Sequence, residues 1–162
     1  MRWIRVHGQD RRYHHPIIGI NGRLDTLQAA VLLAKFEVFP DEVVARARAG
    51  ARYTESLAGT NLVPPHIEAH NTSVYAQYTV QVSNRDSVQK TLQAAGVPTA
   101  VHYPCPLHLQ PAFANLDLPA GSFPVSEAAA QRVISLPMHP YLNGADQERI
   151  VGALVAASSQ EG

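Results

Sequence analysis

The sequence has a single cysteine, Cys105, and only two lysines, Lys35 and Lys90. One cysteine cannot form an internal disulfide, and a lone thiol is typical of a reducing compartment, so we predict a cytoplasmic protein. No run reaches the roughly eighteen apolar residues that a membrane-spanning helix needs, and the first ten residues contain no apolar core like that of a signal peptide. The sequence therefore favours neither a secreted disulfide scaffold nor a membrane protein.

An excess of charge of one sign is also absent. Lys and Arg together number 13, Asp and Glu also number 13, and the formal net charge is zero. This balance gives no global attraction to nucleic acid or to an anionic membrane, so we expect neither as a partner. The 162 residues are 46% hydrophobic and 16% charged. These values predict a globular protein with a core of its own.

The hydrophobic pattern changes along the chain. Residues 7–23 have no helical or strand periodicity and predict an extended loop. Asp25 and Gln28 form a capping pair, after which a helix is expected to run to Pro40, where a second helix should restart. Strict alternation over residues 73–82 predicts a half-buried strand.

The second half of the chain alternates between helical and extended patterns. The predicted elements are a helix from Asn84 that Gly96 closes, an extended segment through His102, a helix from Pro124, a short strand over residues 134–138 and a helix capped by Asn143. This order predicts an α+β fold in which a small, mostly antiparallel sheet packs with helices.

The segment GINGRLDTLQAA, residues 19–30, is the first candidate site. Asn21 and Arg23 lie just before a helix amino terminus, where free N–H groups and a guanidinium fork can hold an anion. From the residue types alone, a simple turn with a solvated Arg23 is favoured. Arg11, Arg12 and Tyr13 could likewise place two guanidinium groups and an aromatic ring near a nucleotide, or form a solvated loop.

His102 and Tyr103 follow an extended segment and are a second candidate site. An imidazole and a phenol can bond to diphosphate or sugar hydroxyls. The alternative is that Tyr103 packs in the core while His102 caps a backbone carbonyl. The residue types alone support these two interpretations equally.

Several further segments occur in a characteristic order along nearly the whole chain. These are HGQDRRYHH (7–15), SVYAQYTV (73–80), GVPT leading to VHYP (96–104), LHLQPAF (107–113), FPVSE (123–127) and SLPMHPYL (135–142). Together with residues 19–30, this set resembles the DegT/DnrJ/EryC1/StrS family of sugar aminotransferases. It is most similar to members that aminate UDP-2-acetamido-2-deoxy-hexuluronate, a 3-keto sugar of surface polysaccharide biosynthesis.

The resemblance implies the small carboxy-terminal domain of a fold-type I enzyme that uses pyridoxal 5'-phosphate. Such enzymes transfer an amino group, here expected from glutamate, to a nucleotide-linked keto sugar. They act as homodimers with shared active sites, so Asn21 is expected at the cofactor phosphate of the neighbouring subunit. Arg23, Arg12, His102 and Tyr103 are expected to bind the sugar nucleotide.

The sequence departs from the family at the catalytic group. A Schiff-base lysine is indispensable, and neither Lys35 nor Lys90 lies in the family's serine-rich loop. We therefore assign no catalytic residue and expect the chain to be inactive alone. Residues 1–24 are expected to be a loop of a missing large domain and of the dimer active site, and residues 25–162 the small domain.

Two other classes of function stay open. The chain could be a non-catalytic module that binds a nucleotide sugar or interacts with a partner. It could also be part of a dehydratase of the same family, in which histidine replaces the lysine. The eight histidines invite a metal site, but His66 and His70 follow two prolines and no strong helix contains them, so no metal is predicted.

Overall fold

The computed structural model describes residues 1–159. Within this range lie four α-helices, two β-strands and two 3₁₀ helices, Leu107–Leu109 and Pro111–Leu116. The regular elements in chain order are α1 (Thr26–Ser56), β1 (Tyr78–Gln81), α2 (Arg85–Ala94), α3 (Pro124–Arg132), β2 (Val133–Leu136) and α4 (Gly144–Ser159). None of these helices combines the length and the apolar character that crossing a membrane requires.

The chain divides into two compact units, Met1–Pro40 and Asp41–Gly162. The contacts thus group the first half of α1 with the loop that precedes it. The domain boundary expected between residues 24 and 25 stays a prediction. The last three residues of that predicted domain, 160–162, lie outside the described part.

The loop in the first unit folds back on itself, whereas the sequence predicted an extended segment. Val6 and Asn21 form an antiparallel bridge, and the His7 N–H donates to the Ile20 carbonyl at 2.9 Å. The backbones at Gly8 and Gly19 approach so closely that a Cβ on either glycine would overlap the other strand of the loop. These two glycines permit the close approach that brings Asn21 back beside the start of the loop.

The start of α1 agrees with the sequence, but its course does not. The Asp25 carboxylate accepts the Leu27 N–H at 2.8 Å, as expected of a helix cap. The predicted break at Pro40 is wrong, because one helix runs from Thr26 to Ser56 with Pro40 inside it. A proline removes one donor from the helical ladder, and here the ladder on both sides continues without it.

The second unit contains an antiparallel pair of strands, β1 and β2, in which Tyr78 lies opposite Leu136 and Val80 opposite Ile134. Single bridges extend the pair on both sides, from Val63 to Gln81 and from Ala100 to Ser135. The α+β class and the small antiparallel sheet are confirmed.

Strand β1 is shorter than the predicted strand over residues 73–82. The Arg46 guanidinium donates to the carbonyls of Val74, Tyr75 and Ala76 at 3.0, 2.7 and 3.0 Å. Tyr75 also has a φ of 44°, which no strand residue adopts. Because a side chain satisfies these carbonyls, the segment before Tyr78 needs no neighbouring strand.

The later helices begin and end close to the predicted residues. The Asn143 side chain accepts the Asp146 N–H at 2.8 Å and caps α4. Gly96 follows α2 with a φ of 70°, the left-handed geometry that glycine adopts readily. Asn84 occupies the cap position of α2, but its side chain makes no capping hydrogen bond.

The core of the second unit lies between the sheet and the helices. Tyr53 from α1 stacks on Tyr78 from β1, with ring centroids 4.8 Å apart, and both side chains are fully buried. The Tyr75 ring lies over Gly50, where a Cβ would overlap its carbon atoms. Gly50 therefore lets an aromatic ring rest directly on the helix backbone.

We expect Gly50→Ala to destabilise the protein by about 1–3 kcal/mol, because the added methyl group would displace the Tyr75 ring. Urea unfolding would measure the change. The matched control is Gly152→Ala in α4, where a Cβ meets nothing within 4 Å. It should stabilise by roughly 0.5–1 kcal/mol through helix propensity. Similar effects of the two substitutions would contradict the packing described at Gly50.

Candidate functional site

Asn21 and Arg23 lie together at the start of α1. The Arg23 Nε donates to the Asn21 Oδ1 at 3.2 Å. Both residues line a concavity of about 390 Å³ together with Leu24, Asp25 and Thr26. The concavity thus combines an amide, a guanidinium and the first turn of a helix, which is a suitable environment for an anion.

Arg12 lies in the same unit, on the exposed part of the loop. Its guanidinium carbon is 4.9 Å from the centroid of the Tyr13 ring, and Nη2 donates to the Tyr13 hydroxyl at 3.1 Å. The two side chains form one stacked cationic and aromatic surface. Arg11 instead forms a backbone bridge with His14 in a tight turn.

His102 and Tyr103 lie in the second unit, beyond the bridge at Ala100. The His102 Nδ1 is 3.0 Å from the Ser135 hydroxyl, and the Tyr103 side chain is 69% exposed. Neither finding agrees with the alternative in which Tyr103 packs in the core and His102 caps a carbonyl. Both residues line a cavity of about 630 Å³.

The wall of this cavity depends on a pair of residues that the sequence did not single out as a site. The His108 Nε2 is 3.0 Å from the Glu127 carboxylate, and only 7% of the His108 side chain is exposed. The same carboxylate accepts the backbone N–H groups of Gly121 and Phe123 at 2.9 and 3.2 Å. Glu127 thereby fixes the loop before α3 to the short helix that carries His108. The spacing of the two residues in the chain gives no signal for this pair.

Hydrogen bonds from its neighbours keep the Glu127 carboxyl group charged. The N–H groups of Gly121 and Phe123, followed by His108, lower the pKa of the carboxyl group below its ordinary 4.5. A carboxylate that accepts several N–H groups is held in its charged form. The loop is therefore fixed by an anion at neutral pH.

The remaining candidate groups are not assembled into a catalytic arrangement. Lys35 and Lys90 are both exposed on helices. Residues 1–159 contain no group of three or more His, Cys, Asp or Glu side chains placed to hold a metal ion. Cys105 contacts the Pro106 carbonyl at 3.6 Å, while the imidazole of His102 bonds to Ser135.

Two solved structures share this fold. A DegT DnrJ EryC1 StrS aminotransferase from Brucella abortus is 43% identical with a TM-score of 0.88, covering 97% of this chain and 42% of that one. DesV from S. venezuelae, solved with a ketimine intermediate, is 34% identical with a TM-score of 0.89, covering 97% and 43%. The fold of this chain is thus that of part of a solved aminotransferase.

The family follows from the sequence comparison. The model of the DegT/DnrJ/EryC1/StrS aminotransferase family matches residues 1–155, and the chain belongs to this family. The UDP-2-acetamido-2-deoxy-3-oxo-D-glucuronate aminotransferase of Pseudomonas aeruginosa is 54% identical over 154 residues, which are 95% of this chain and 42% of that protein. The UDP-N-acetyl-3-dehydro-alpha-D-glucosamine 3-aminotransferase of Acidithiobacillus ferrooxidans is 39% identical, and the match covers 40% of the length of that protein. The chain thus spans less than half the length of these relatives.

We expect acid to weaken the contribution of Glu127 to stability. A carboxyl group whose folded pKa is lowered stabilises the fold above its unfolded pKa, and this contribution disappears as the pH falls through the folded value. Glu127→Gln should therefore lower the urea midpoint at pH 7, and the difference from the unsubstituted protein should shrink below the ordinary Glu pKa of 4.5.

The matched control is Glu148→Gln, at an exposed position of α4. It should change the midpoint little at either pH. A difference between Glu127→Gln and the unsubstituted protein that stays constant from neutral pH to about pH 3 would contradict an ionic role for Glu127.

Proposed function

We propose that this chain is the carboxy-terminal portion of a pyridoxal-phosphate-dependent aminotransferase that transfers an amino group, from glutamate, to a UDP-linked 3-keto sugar. The observation that carries the proposal is 54% identity to the Pseudomonas enzyme over 95% of the chain. That relative acts on a UDP-linked 3-oxo sugar by its name, and so does the Acidithiobacillus relative. We further propose that the enzyme acts in the biosynthesis of surface polysaccharides, including lipopolysaccharide. Its proposed location is the cytoplasm.

The two concavities supply the proposed contacts to the substrate and the cofactor. In the second unit, His102 and Tyr103 would bind the sugar nucleotide at the edge of the 630 Å³ cavity. In the first unit, Asn21 would contact the cofactor phosphate of a neighbouring subunit, while Arg23 and Arg12 would bind the nucleotide. The hydrogen bond between Arg23 and Asn21 supports this assignment, because it orients the guanidinium beside the helix start.

The cofactor, when bound, supplies an aldehyde that carries the amino group between donor and acceptor. The residues of this chain fit only the rim of such a site. The anion-binding concavity at Asn21 suits a phosphate, but the two lysines are exposed on helices and present no amine to it. We propose that the lysine comes from the part of the enzyme that the chain does not span.

A non-catalytic role in binding a nucleotide sugar is a second candidate. The exposure of both lysines favours it, since a binding module needs no amine beside a cofactor. A dehydratase of the same family would differ only at a position that this chain does not include.

The proposed function is tested by fusing this chain behind the part of the Pseudomonas relative that it does not match. We expect the fusion to bind pyridoxal phosphate with a saturable visible absorbance and to aminate UDP-2-acetamido-2-deoxy-3-oxo-D-glucuronate. The chain alone should do neither. Arg23→Ala in the fusion should reduce kcat/KM roughly ten- to hundredfold, the range expected for a lost hydrogen bond to a charged group.

The matched control for Arg23 is Arg11→Ala, because Arg11 lies in the same loop within a solvated turn. It should change turnover little. Equal losses of melting temperature and activity in Arg23→Ala would contradict a binding role for Arg23. A saturable band in the chain alone that disappears in Lys35→Ala or Lys90→Ala would contradict the proposal of an incomplete site.

We also propose that the protein forms a homodimer, and that the first half of α1, a surface for the large domain or for the dimer mate, drives the chain alone to self-associate. Large apolar side chains on this segment are 48% to 78% exposed, and Phe36 stacks on Phe39 at 6.0 Å between ring centroids. These residues are Leu27, Val31, Leu32, Leu33, Phe36, Val38 and Phe39. Exposed apolar side chains in this number on one helix are typical of an interface.

We expect the chain to self-associate, and replacement of Leu33 and Phe36 by lysine should weaken association about tenfold or more. Sedimentation equilibrium would measure the change. Val125→Lys is the matched control, because Val125 is 83% exposed on α3. A monodisperse monomer of the unsubstituted chain, or equal effects of Val125→Lys and of the paired substitution, would contradict an interface on α1.

A further inference from the structure

Three polar side chains share the face of the sheet that points away from the core. Tyr78 and Val80 of β1 are fully buried on one face, so Thr79 between them points to the other face. Ser135 lies directly opposite Thr79 in the register of β1 and β2. His102 lies two residues beyond Ala100, which bridges to Ser135. The topology therefore brings these three side chains together from three separate segments.

The three side chains form a continuous chain of hydrogen bonds. The Thr79 hydroxyl is 2.7 Å from the Ser135 hydroxyl, which is 3.0 Å from the His102 Nδ1. Ser135 is only 4% exposed. Its backbone exchanges hydrogen bonds with Ala100, at 2.7 and 3.2 Å, so its position relative to the His102 segment is fixed.

The direction in which the three side chains donate their hydrogen bonds decides the tautomer of His102. If Thr79 donates to Ser135 and Ser135 donates to His102, every hydroxyl proton has a protein acceptor. The His102 Nδ1 then accepts, and the ring proton lies on Nε2. In the opposite direction, His102 would donate through Nδ1, and the Thr79 proton would have no acceptor among the side-chain partners described for residues 1–159. Ser135, at the centre of this half-buried network, is 4% exposed, and such a network favours the direction that satisfies all of its protons.

We propose that Ser135, supported by Thr79, is a positioning residue that holds His102 as the Nε2–H tautomer and makes this N–H the donor to a bound ligand. Nε2 is the remaining polar atom of a ring that lines the cavity with Tyr103. The ligand group it fits is an acceptor oxygen, such as a diphosphate, carbonyl or hydroxyl oxygen of a nucleotide sugar. This ligand assignment rests on the proposed function, whereas the tautomer assignment does not.

The tautomer is tested first, without any ligand. Long-range ¹H–¹⁵N spectra of the ¹⁵N-labelled chain at about pH 8, where free imidazole is neutral, distinguish the two ring nitrogens. His102→Gln identifies the His102 signals. We expect the Nε2–H pattern in the unsubstituted chain and in Ser135→Thr, which keeps the hydroxyl, and a shift toward mixed tautomers in Ser135→Ala. Thr79→Val should give a smaller shift in the same direction.

The matched control is Ser126→Ala, which removes a hydroxyl that lines the same cavity without a hydrogen bond to His102. It should leave the His102 signals unchanged. Backbone amide spectra confirm that each variant is folded. An Nδ1–H pattern in the unsubstituted chain, or an unchanged pattern in Ser135→Ala, overturns the role of Ser135.

The ligand is tested by titration with UDP-N-acetylglucosamine. We expect the His102 Nε2–H signal to move, Ser135→Ala to weaken binding roughly three- to tenfold, and Ser135→Thr to restore it. If the tautomer is as expected but the probe leaves His102 unaffected, the ligand assignment is overturned while the positioning role stands. Failure of the proposed function is thus distinguishable from failure of the hydrogen-bond chain.

Discussion

The antiparallel register of β1 and β2 determines both the core and the site in the second unit. With Val80 opposite Ile134, the apolar side chains of both strands meet on the face that receives Tyr53. The same register places Thr79 opposite Ser135 on the other face, beside His102. A slip of one residue would turn polar hydroxyls into the core and valine toward the site. Burial of the apolar face therefore also fixes the geometry of the polar one.

The chemistry of amine transfer sets a second constraint, which this chain does not meet alone. A primary amine must lie against the cofactor aldehyde, and Lys35 and Lys90 are exposed on helices. The chain does present polar groups in two places: a guanidinium and an amide at a helix start, and an imidazole and a phenol at a cavity edge. Groups of these kinds can bond to anions and hydroxyls, but none of them is a primary amine.

Much of the fold could be predicted because it depends on local rules. The caps Asp25 and Asn143 and the end of α2 at Gly96 follow from backbone chemistry within a few residues. The errors arise where distant residues intervene. Arg46 binds the carbonyls of residues 74–76 and shortens β1, although it lies 28 or more residues away in the chain. Likewise, family motifs indicated His102 and Tyr103, but the link from His108 to Glu127 depends on a tertiary contact that no spacing reveals.

Two networks of different character shape the surroundings of His102. Glu127 fixes the wall of the cavity with a charge, and acid removes this charge as the pH falls through the lowered pKa of the carboxyl group. The link from Thr79 through Ser135 to His102 uses neutral hydroxyls, which do not titrate in that range. The wall of the cavity and the imidazole are therefore held by interactions of different kinds, one that depends on a charge and one that does not.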